Sequence, residues 1–348
     1  MSSPINYFTA DNLLKFQNAR ASEQRVADVI QLSNESLSLD DNLKLAKSNG
    51  VKYVLVGIPE DIGPRGNLGN GGADSGWQIF LSNCLHRQHN QYFDWTQVLL
   101  LGEVELADIR EQASNADLDK LRDLCEHIDE RVSAVLAKVF AAELEPIVIG
   151  GGHNNAYPVI KALSETSKQK VRCSNLDPHA DMRALEGRHS GNPFHYAFSQ
   201  GFIEYYHVLG LHEQKNNQNT LDNLKQTNSD GSQFGHSTTY QQLFIERSVE
   251  FEHAIESIKI DLVKADKPIG LELDVDSIKY TPASAYSPCG FTIEQAARYI
   301  YAVAQLDNVA YCHLSEGAVN GMQEKDSLNL GHTLSELVYS YLISRSRR

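Results

Sequence analysis

The sequence predicts an α/β protein, built as a mostly parallel sheet with helices on both faces. Two observations carry this. Six short apolar runs, each closing on glycine or charged residues, are spread along the chain: "VKYVLVGIPEDIG", "EPIVIGGGH", "KVRCSNLDPHAD", "YYHVLGLHE", "KPIGLELDVD" and "NVAYCHLSEG". Between several of them lie stretches of helical periodicity, such as "LDKLRDLCEHIDERVSAVLAKVFAAE" and "TIEQAARYIYAVAQL". Strands that alternate with helices form parallel sheets buried on both sides. In such sheets the site lies beyond the carboxyl ends of the strands, where the polar residues of these runs collect.

In chain order, residues 1–50 are polar with weak helical periodicity, which predicts a peripheral helical segment laid on the core. The strand and helix patterns follow from about residue 51. The polar stretch 213–240, "EQKNNQNTLDNLKQTNSDGSQFGHSTTY", predicts a short helix and a loop. No linker divides the chain and no internal repeat is visible, so a single domain over 1–348 is expected.

Composition excludes several classes of partner. A formal net charge of −14 argues against a nucleic-acid groove or an anionic membrane, both of which need a positive face. The N-terminus "MSSPINYFTADNLL" has no basic patch followed by an apolar core, and no apolar run is long enough to span a bilayer. The cysteines (Cys84, Cys125, Cys173, Cys289, Cys312) are odd in number and form no CxxC, which predicts free thiols in a reducing compartment and a cytoplasmic location.

Three strand ends carry metal-type ligands. "IGGGHNN" supplies His153, "NLDPHADMR" supplies Asp177, His179 and Asp181, and "LELDVDS" supplies Asp274 and Asp276. In a strand and its continuation, alternate residues point to one face, so each aspartate set is expected to converge. Four aspartates in one pocket are neutralised by two divalent cations, whereas one would leave a buried excess of negative charge. Oxygen-rich ligation with two imidazoles and no thiolate suits a hard ion such as Mn²⁺. A pair of such ions activates water near neutral pH, so metal-assisted hydrolysis is the expected chemistry.

His153, the Asp177–His179–Asp181 run and the Asp274–Asp276 pair resemble, in order, the six metal ligands of the ureohydrolases, which include arginase, agmatinase and formimidoylglutamase. The resemblance runs from "GIPEDIGPRGNLGNGGADSGW" near residue 57 to "HLSEGA" near residue 316. It implies a three-layer αβα sandwich, two Mn²⁺ ions per chain, hydrolysis of a linear amidine or guanidine, and a homo-trimer or homo-hexamer. It also implies that Glu316 receives the cationic nitrogens of the substrate. The chain departs from the family at Glu272, where a small hydroxyl residue is usual, and at Lys279 and Tyr280, where Asp-Pro is usual. Glu272 is expected on the face of Asp274, deeper in the strand, where it could pair with a basic side chain.

Arg183, two residues beyond Asp181, stands where arginase has asparagine and resembles formimidoylglutamase sequences. A guanidinium binds a carboxylate bidentately and repels a cationic tail; the alternative is a surface salt bridge. Ser190 and Asn192 in "HSGNPF" resemble the family's substrate-binding loop, or else form a plain turn. Arg65 and Asn67 could hold a carboxylate or belong to a surface loop. His195 lies one residue beyond the place of arginase's proton-shuttling histidine and is read as a solvated loop residue. The expected reaction is N-formimidoyl-L-glutamate plus water to glutamate and formamide. The alternatives are a guanidine hydrolase of the arginase or agmatinase type, and a non-catalytic relative that binds or regulates.

Overall fold

The computed structural model describes residues 3–16, 20, 22–319 and 324–348. Ten strands form one sheet: β1 (Ile5–Tyr7), β2 (Gln31–Leu32), β3 (Tyr53–Gly57), β4 (Val98–Val104), β5 (Glu145–Ile149), β6 (Val171–Leu176), β7 (Ile203–Leu211), β8 (Gly235–Thr239), β9 (Ile269–Asp274) and β10 (Val309–Ser315). Their order is β1-β4-β3-β5-β10-β9-β6-β7-β8, with β2 also pairing β4. Only β1 runs antiparallel to its neighbour; the other pairs are parallel.

Alternation along the strands builds two cores. Leu55, Leu100, Ile147 and Ile149 face one side, among residues of helices Gly76–Cys84, Phe251–Leu262, Ile293–Ala304 and Glu324–Ser346. Val54, Val56, Leu99, Leu101 and Val148 face the other, among helices Leu39–Ser48, Leu118–Ala141, Ala156–Ser167 and Pro193–Ser199. This is the αβα sandwich that the sequence predicts. Helix starts are marked as the chain's chemistry requires: Ser38 accepts from Asp41 N, Asp117 accepts from Lys120 N, and Thr292 forms a capping box with Gln295.

The N-terminal expectation needs correction. Residues 1–50 (of which 1–2, 17–19 and 21 lie outside the described residues) contribute β1 and β2 to the sheet edge as well as short helices. Ile5, inserted opposite Val104, is 2% exposed, so a three-residue strand buries one apolar anchor that helical periodicity does not register. Likewise 213–240 holds the expected helix (Gln218–Leu224) but ends in the edge strand β8. In the neighbouring parallel strands β5-β10-β9-β6, the ends of β5, β6 and β9 lead to the six predicted ligands and the end of β10 leads to Glu316.

Candidate metal centre

β5 runs into Gly150 and Gly151, both at positive φ (86° and 69°). A Cβ on Gly151 would fall 2.4 Å from Asn155 Nδ2 and 2.8 Å from Glu60 Oε1, so only glycine fits. Buried Glu60, which sequence reasoning did not single out, fixes this turn. Its Oε1 accepts from Gly152 N (2.8 Å) and Asn155 Nδ2 (2.6 Å), and its Oε2 accepts from Ile62 N (2.7 Å) and Gly63 N (3.1 Å). The turn delivers His153, 1% exposed, to the strand ends.

The aspartates converge, but not by the strand period. β6 stops at Leu176, and Asp181 takes a left-handed φ of 50°. The loop bends on its own side chains: Asp177 Oδ1 accepts from His179 N (2.7 Å), Asn175 Nδ2 donates to Asp177 Oδ2 (2.9 Å), and Ala180 N donates to Asn216 Oδ1 (2.9 Å). Asp276 lies in the single turn Val275–Ser277, its N–H bonded to Asp274 Oδ1 (2.7 Å), while its own Oδ1 accepts from Ala285 N (2.9 Å). Short carboxylates that bond the backbone two residues on make turns, and turns place alternate residues at different points rather than in one row.

Three overlapping groups of candidate ligands result, one of them His153 with Glu272 and His313, and the other two rich in aspartate. His153, Asp177, Asp181 and Asp274 place ligand atoms within 4.8 Å of one another, and so do His179, Asp274 and Asp276. His153 Nδ1 lies 2.9 Å from Asp181 Oδ2, 3.1 Å from Asp177 Oδ2 and 3.6 Å from Asp274 Oδ2. It makes no well-aligned hydrogen bond to any of them. His179 Nδ1 lies 3.5 Å from the other oxygen of Asp177. A buried imidazole nitrogen ringed by carboxylate oxygens, yet aligned with none, fits a shared cation, and the oxygen-rich donor set fits a hard one.

The electrostatics agree. Burial and then neighbouring charge (Asp177 at Asp274, Asp274 at Asp276) push these carboxyls up, to about 6 for Asp274 and about 8 for Asp276. Burial opposes charging of His179, but Asp177 and then Asp276 outweigh it and raise the imidazole to about 9. A divalent cation would relieve the same crowding of buried negative charge.

Next to the ligands opens a cavity of about 230 Å³. Four carboxylates, Asp181, Asp274, Asp276 and Glu316, line it together with His179, Arg183, Ser190 and Lys215. Glu316, at φ 63° and 3% exposed, accepts from His153 N through Oε1 (2.6 Å), while Oε2 makes no well-formed hydrogen bond. Burial, then Asp274 and Asp276, push its carboxyl well above the usual range. Arg183 is exposed, and its guanidinium makes no hydrogen bond or ion pair with a carboxylate among the described residues, so the surface salt bridge is not formed. Its stem crosses Gly191, where a Cβ would fall 2.7 Å from Arg183 Cδ. Asn67 lines the cavity and donates to Ser190 Oγ (3.4 Å).

Other expectations are corrected. Asn192 does not reach the cavity. It is fully buried, and its amide is consumed by Arg188 Nη1 (2.7 Å), His189 N (3.1 Å), Ala184 O (3.0 Å) and Gly187 O (2.8 Å). Arg188 itself is 2% exposed and paired with Asp129 (2.8 Å), so this pair and Asn192 hold the loop that presents Ser190. Arg65 is turned away, bonded to Asp61 and to Ala113 O. His195 Nδ1 contacts Arg183 O (2.7 Å), and neither His195 nor Lys279 lines the cavity. Lys215 was missed because it arrives from a polar loop with no motif of its own.

Comparison with known proteins bears on the family and the fold. The arginase-family model matches residues 51–335. A formimidoylglutamase of Rhodococcus jostii is 26% identical over 277 residues, 76% of this chain and 77% of that protein. A formimidoylglutamase of Streptococcus gordonii is 29% identical over 192 residues, 53% of each chain. The chain thus spans about half the length of the streptococcal relatives it matches. Among solved structures, formimidoylglutamase from Bacillus subtilis superposes with a TM-score of 0.74 at 16% identity over 94% of both chains. Oxidized Trypanosoma cruzi formiminoglutamase with Mn²⁺ does so with a TM-score of 0.70 at 17% identity, over 94% of this chain and 100% of that one. These structures share the fold.

Proposed function

This chain belongs to the arginase family, and from that membership we propose that it is a binuclear manganese hydrolase of N-formimidoyl-L-glutamate, yielding glutamate and formamide. One observation carries the substrate: the cavity wall combines buried carboxylates (Asp181, Asp274, Asp276, Glu316) with two cationic side chains, Arg183 and Lys215. A molecule that carries both a cationic amidine and carboxylates complements a wall with groups of both signs. Agmatine, cationic at both ends, does not.

In this reading His153, Asp177, Asp181 and Asp274 hold one ion, and His179, Asp274 and Asp276 hold the other, with Asp177 within reach of both histidines. When bound, such a pair lowers the pKa of a water into the neutral range and stabilises negative charge that develops on attack. Glu316 accepts hydrogen bonds from the amidinium through its unpartnered oxygen and so turns the amidine carbon toward the ligand cluster. Arg183 and Lys215 bind the carboxylates, and Ser190 offers a hydroxyl along the way. The C–N bond to the glutamate nitrogen breaks, and the amine leaves with the proton that the attacking water gives up.

The same proposal includes a single catalytic unit, a homo-oligomer, and a cytoplasmic setting without nucleic-acid or membrane partners. All five cysteines are free, which supports a reducing compartment. Among the described residues, no helix is long and apolar enough to cross a membrane. The test is a panel of formimidoylglutamate, arginine and agmatine on Mn²⁺-reconstituted protein. Preference for formimidoylglutamate is expected; preference for either guanidine overturns the substrate.

A further inference from the structure

We propose that Glu272 is a positioning residue for His153, which orients the ring and selects the tautomer whose Nδ1 is free to bind a cation. The proposal rests on reading His153 as a metal ligand.

Register brings the groups together. In the parallel pair β9–β10, Glu272 stands beside His313, and Tyr311 lies two residues before His313 on the same face. Glu272 is fully buried, an environment that penalises a carboxylate by several kcal/mol unless its oxygens are partnered. Both are. Tyr311 Oη donates to Oε1 (2.6 Å), and His313 Nδ1 lies 2.7 Å from Oε2. These two contacts leave the carboxylate little freedom to move.

The same Oε2 lies 3.5 Å from His153 Nε2. Glu272 approaches the ring at this nitrogen, while three aspartates approach it at the opposite nitrogen, Nδ1. A neutral imidazole that gives its Nδ1 lone pair to a cation must carry its proton on Nε2. Glu272 is the carboxylate beside that nitrogen, at ion-pair distance although not in well-aligned hydrogen-bond geometry. The line from cation position to imidazole to buried carboxylate is the arrangement that fixes a ligand histidine's orientation and raises its basicity. Glu272 and Asp274, two residues apart on β9, therefore address opposite nitrogens of one ring. Such outer partners are worth roughly ten- to a hundredfold in metal affinity.

The experiment is a Mn²⁺ titration of the metal-stripped full chain, followed by calorimetry and by the electron paramagnetic resonance of the ion pair. Wild type, Glu272→Gln and Tyr311→Phe are compared. Glu272→Gln keeps the shape but removes the charge. It should weaken one of the two binding steps by about ten- to a hundredfold and leave the other within about threefold, so that the spectrum at one equivalent of Mn²⁺ shows isolated ions. Tyr311→Phe, which removes one anchor and retains the charge, should weaken the same step less. Unchanged affinities in both variants, or equal weakening of both steps, overturn the proposal. Should Glu272→Gln not fold, the selective effect of Tyr311→Phe decides alone. A wild type that binds fewer than two ions defeats the ligand assignment instead. One that binds two ions but ignores formimidoylglutamate defeats only the substrate.

Discussion

Asp274 faces His153 across 3.6 Å, and its carboxylate is the one member common to the two aspartate-rich ligand groups. Asp181 belongs to the first group alone and Asp276 to the second alone. Metal content should therefore divide along these lines. Asp274→Ala should lower manganese to well under one ion per chain. Asp181→Ala and Asp276→Ala should each retain about one, since a two-metal site loses one position at a time when only private ligands are removed. Elemental analysis after Mn²⁺ loading and desalting measures this. Full loading of Asp274→Ala would sink the shared-ligand geometry.

The metal-free site also makes a prediction about pH. Asp274 and Asp276 titrate near 6 and 8, through burial and then neighbouring negative charge, and His179 near 9, where Asp177 outweighs burial. The unfolded chain releases these protons near 4 for aspartate and 6.5 for histidine. At these three groups the native state holds more protons than the unfolded state between about pH 4 and pH 9, so their contribution to stability falls as pH rises through that window. The buried histidines His189, His207 and His212, lowered to about 3, 3 and 4 chiefly by burial, act in the opposite direction below about pH 6.5. Asp177, whose carboxyl is lowered because its histidine partners outweigh burial, also acts in the opposite direction, below about pH 4. Chelator-treated protein should melt at a lower temperature at pH 8.5 than at pH 6, and Mn²⁺ should largely flatten the difference by replacing the protons. A stripped protein more stable at pH 8.5 would contradict this.

How much of this was legible depended on whether the signal was local. The six strands written as apolar runs closing on glycine or charge are present, as are the ligand motifs at their ends, because strand and ligand loop are contiguous in sequence. β1, β2, β4 and β8 are not among those runs. β1, β2 and β8 are short edge elements, and "GHSTT" reads as polar because an edge strand need not be apolar on both faces. β4, by contrast, is a buried inner strand whose apolar run "VLLLGEV" was passed over. The convergence of Asp177, His179 and Asp181 was foreseen, but its cause was not, since aspartate-capped turns replace the extended strand. Lys215, Asn67 and Glu60 come from separate loops with no common spacing, and only tertiary packing brings them to the site.

Arg188 shows the opposite failure, a charge that sequence alone places on the surface. It is buried against Asp129 and Asn192 and lies over the Tyr157 ring at 4.6 Å. Removing one member of a buried pair leaves the other uncompensated, at a cost of about 3–5 kcal/mol. Arg188→Met should therefore lower the melting temperature strongly, and the double variant Arg188→Met/Asp129→Leu should recover part of the loss. Asn192→Ala should cost about 1–3 kcal/mol by stranding buried groups. If Asn192→Ala instead raised KM selectively at unchanged stability, Asn192 would be a substrate ligand after all.

His195 should be nearly dispensable. Its Nδ1 is tied to Arg183 O at 2.7 Å, and it does not line the cavity. A general acid or base contributes about a hundredfold or more. His195→Ala should lose less than about tenfold, a size set by loop adjustment rather than proton transfer. A hundredfold fall in kcat with manganese content intact would assign it a proton-shuttling role.

The guanidinium of Arg183 should select the charge of the substrate's far end. Its backbone N–H bonds Gly191 O (2.9 Å), and its stem lies over Gly191, so the loop that holds Ser190 also aims the arginine. It carries no acidic partner among the described residues, in a chain with formal net charge −14. A charge-assisted hydrogen bond to a bound carboxylate is worth about 1.5–3 kcal/mol. Because Arg183 is exposed and screened by solvent, the lower part of that range applies. Arg183→Met should lose roughly ten- to thirtyfold in kcat/KM on formimidoylglutamate, which corresponds to about 1.5–2 kcal/mol. Lys215→Met, removing the second cation of the wall, should act in the same direction. Both variants should keep their manganese and discriminate less against agmatine, since a repulsive charge has been taken away. Gly191→Ala should reproduce part of the Arg183 effect, because its methyl occupies the path of the arginine stem. If Arg183→Met kept full activity on the diacid, the cationic wall would not be what reads the substrate.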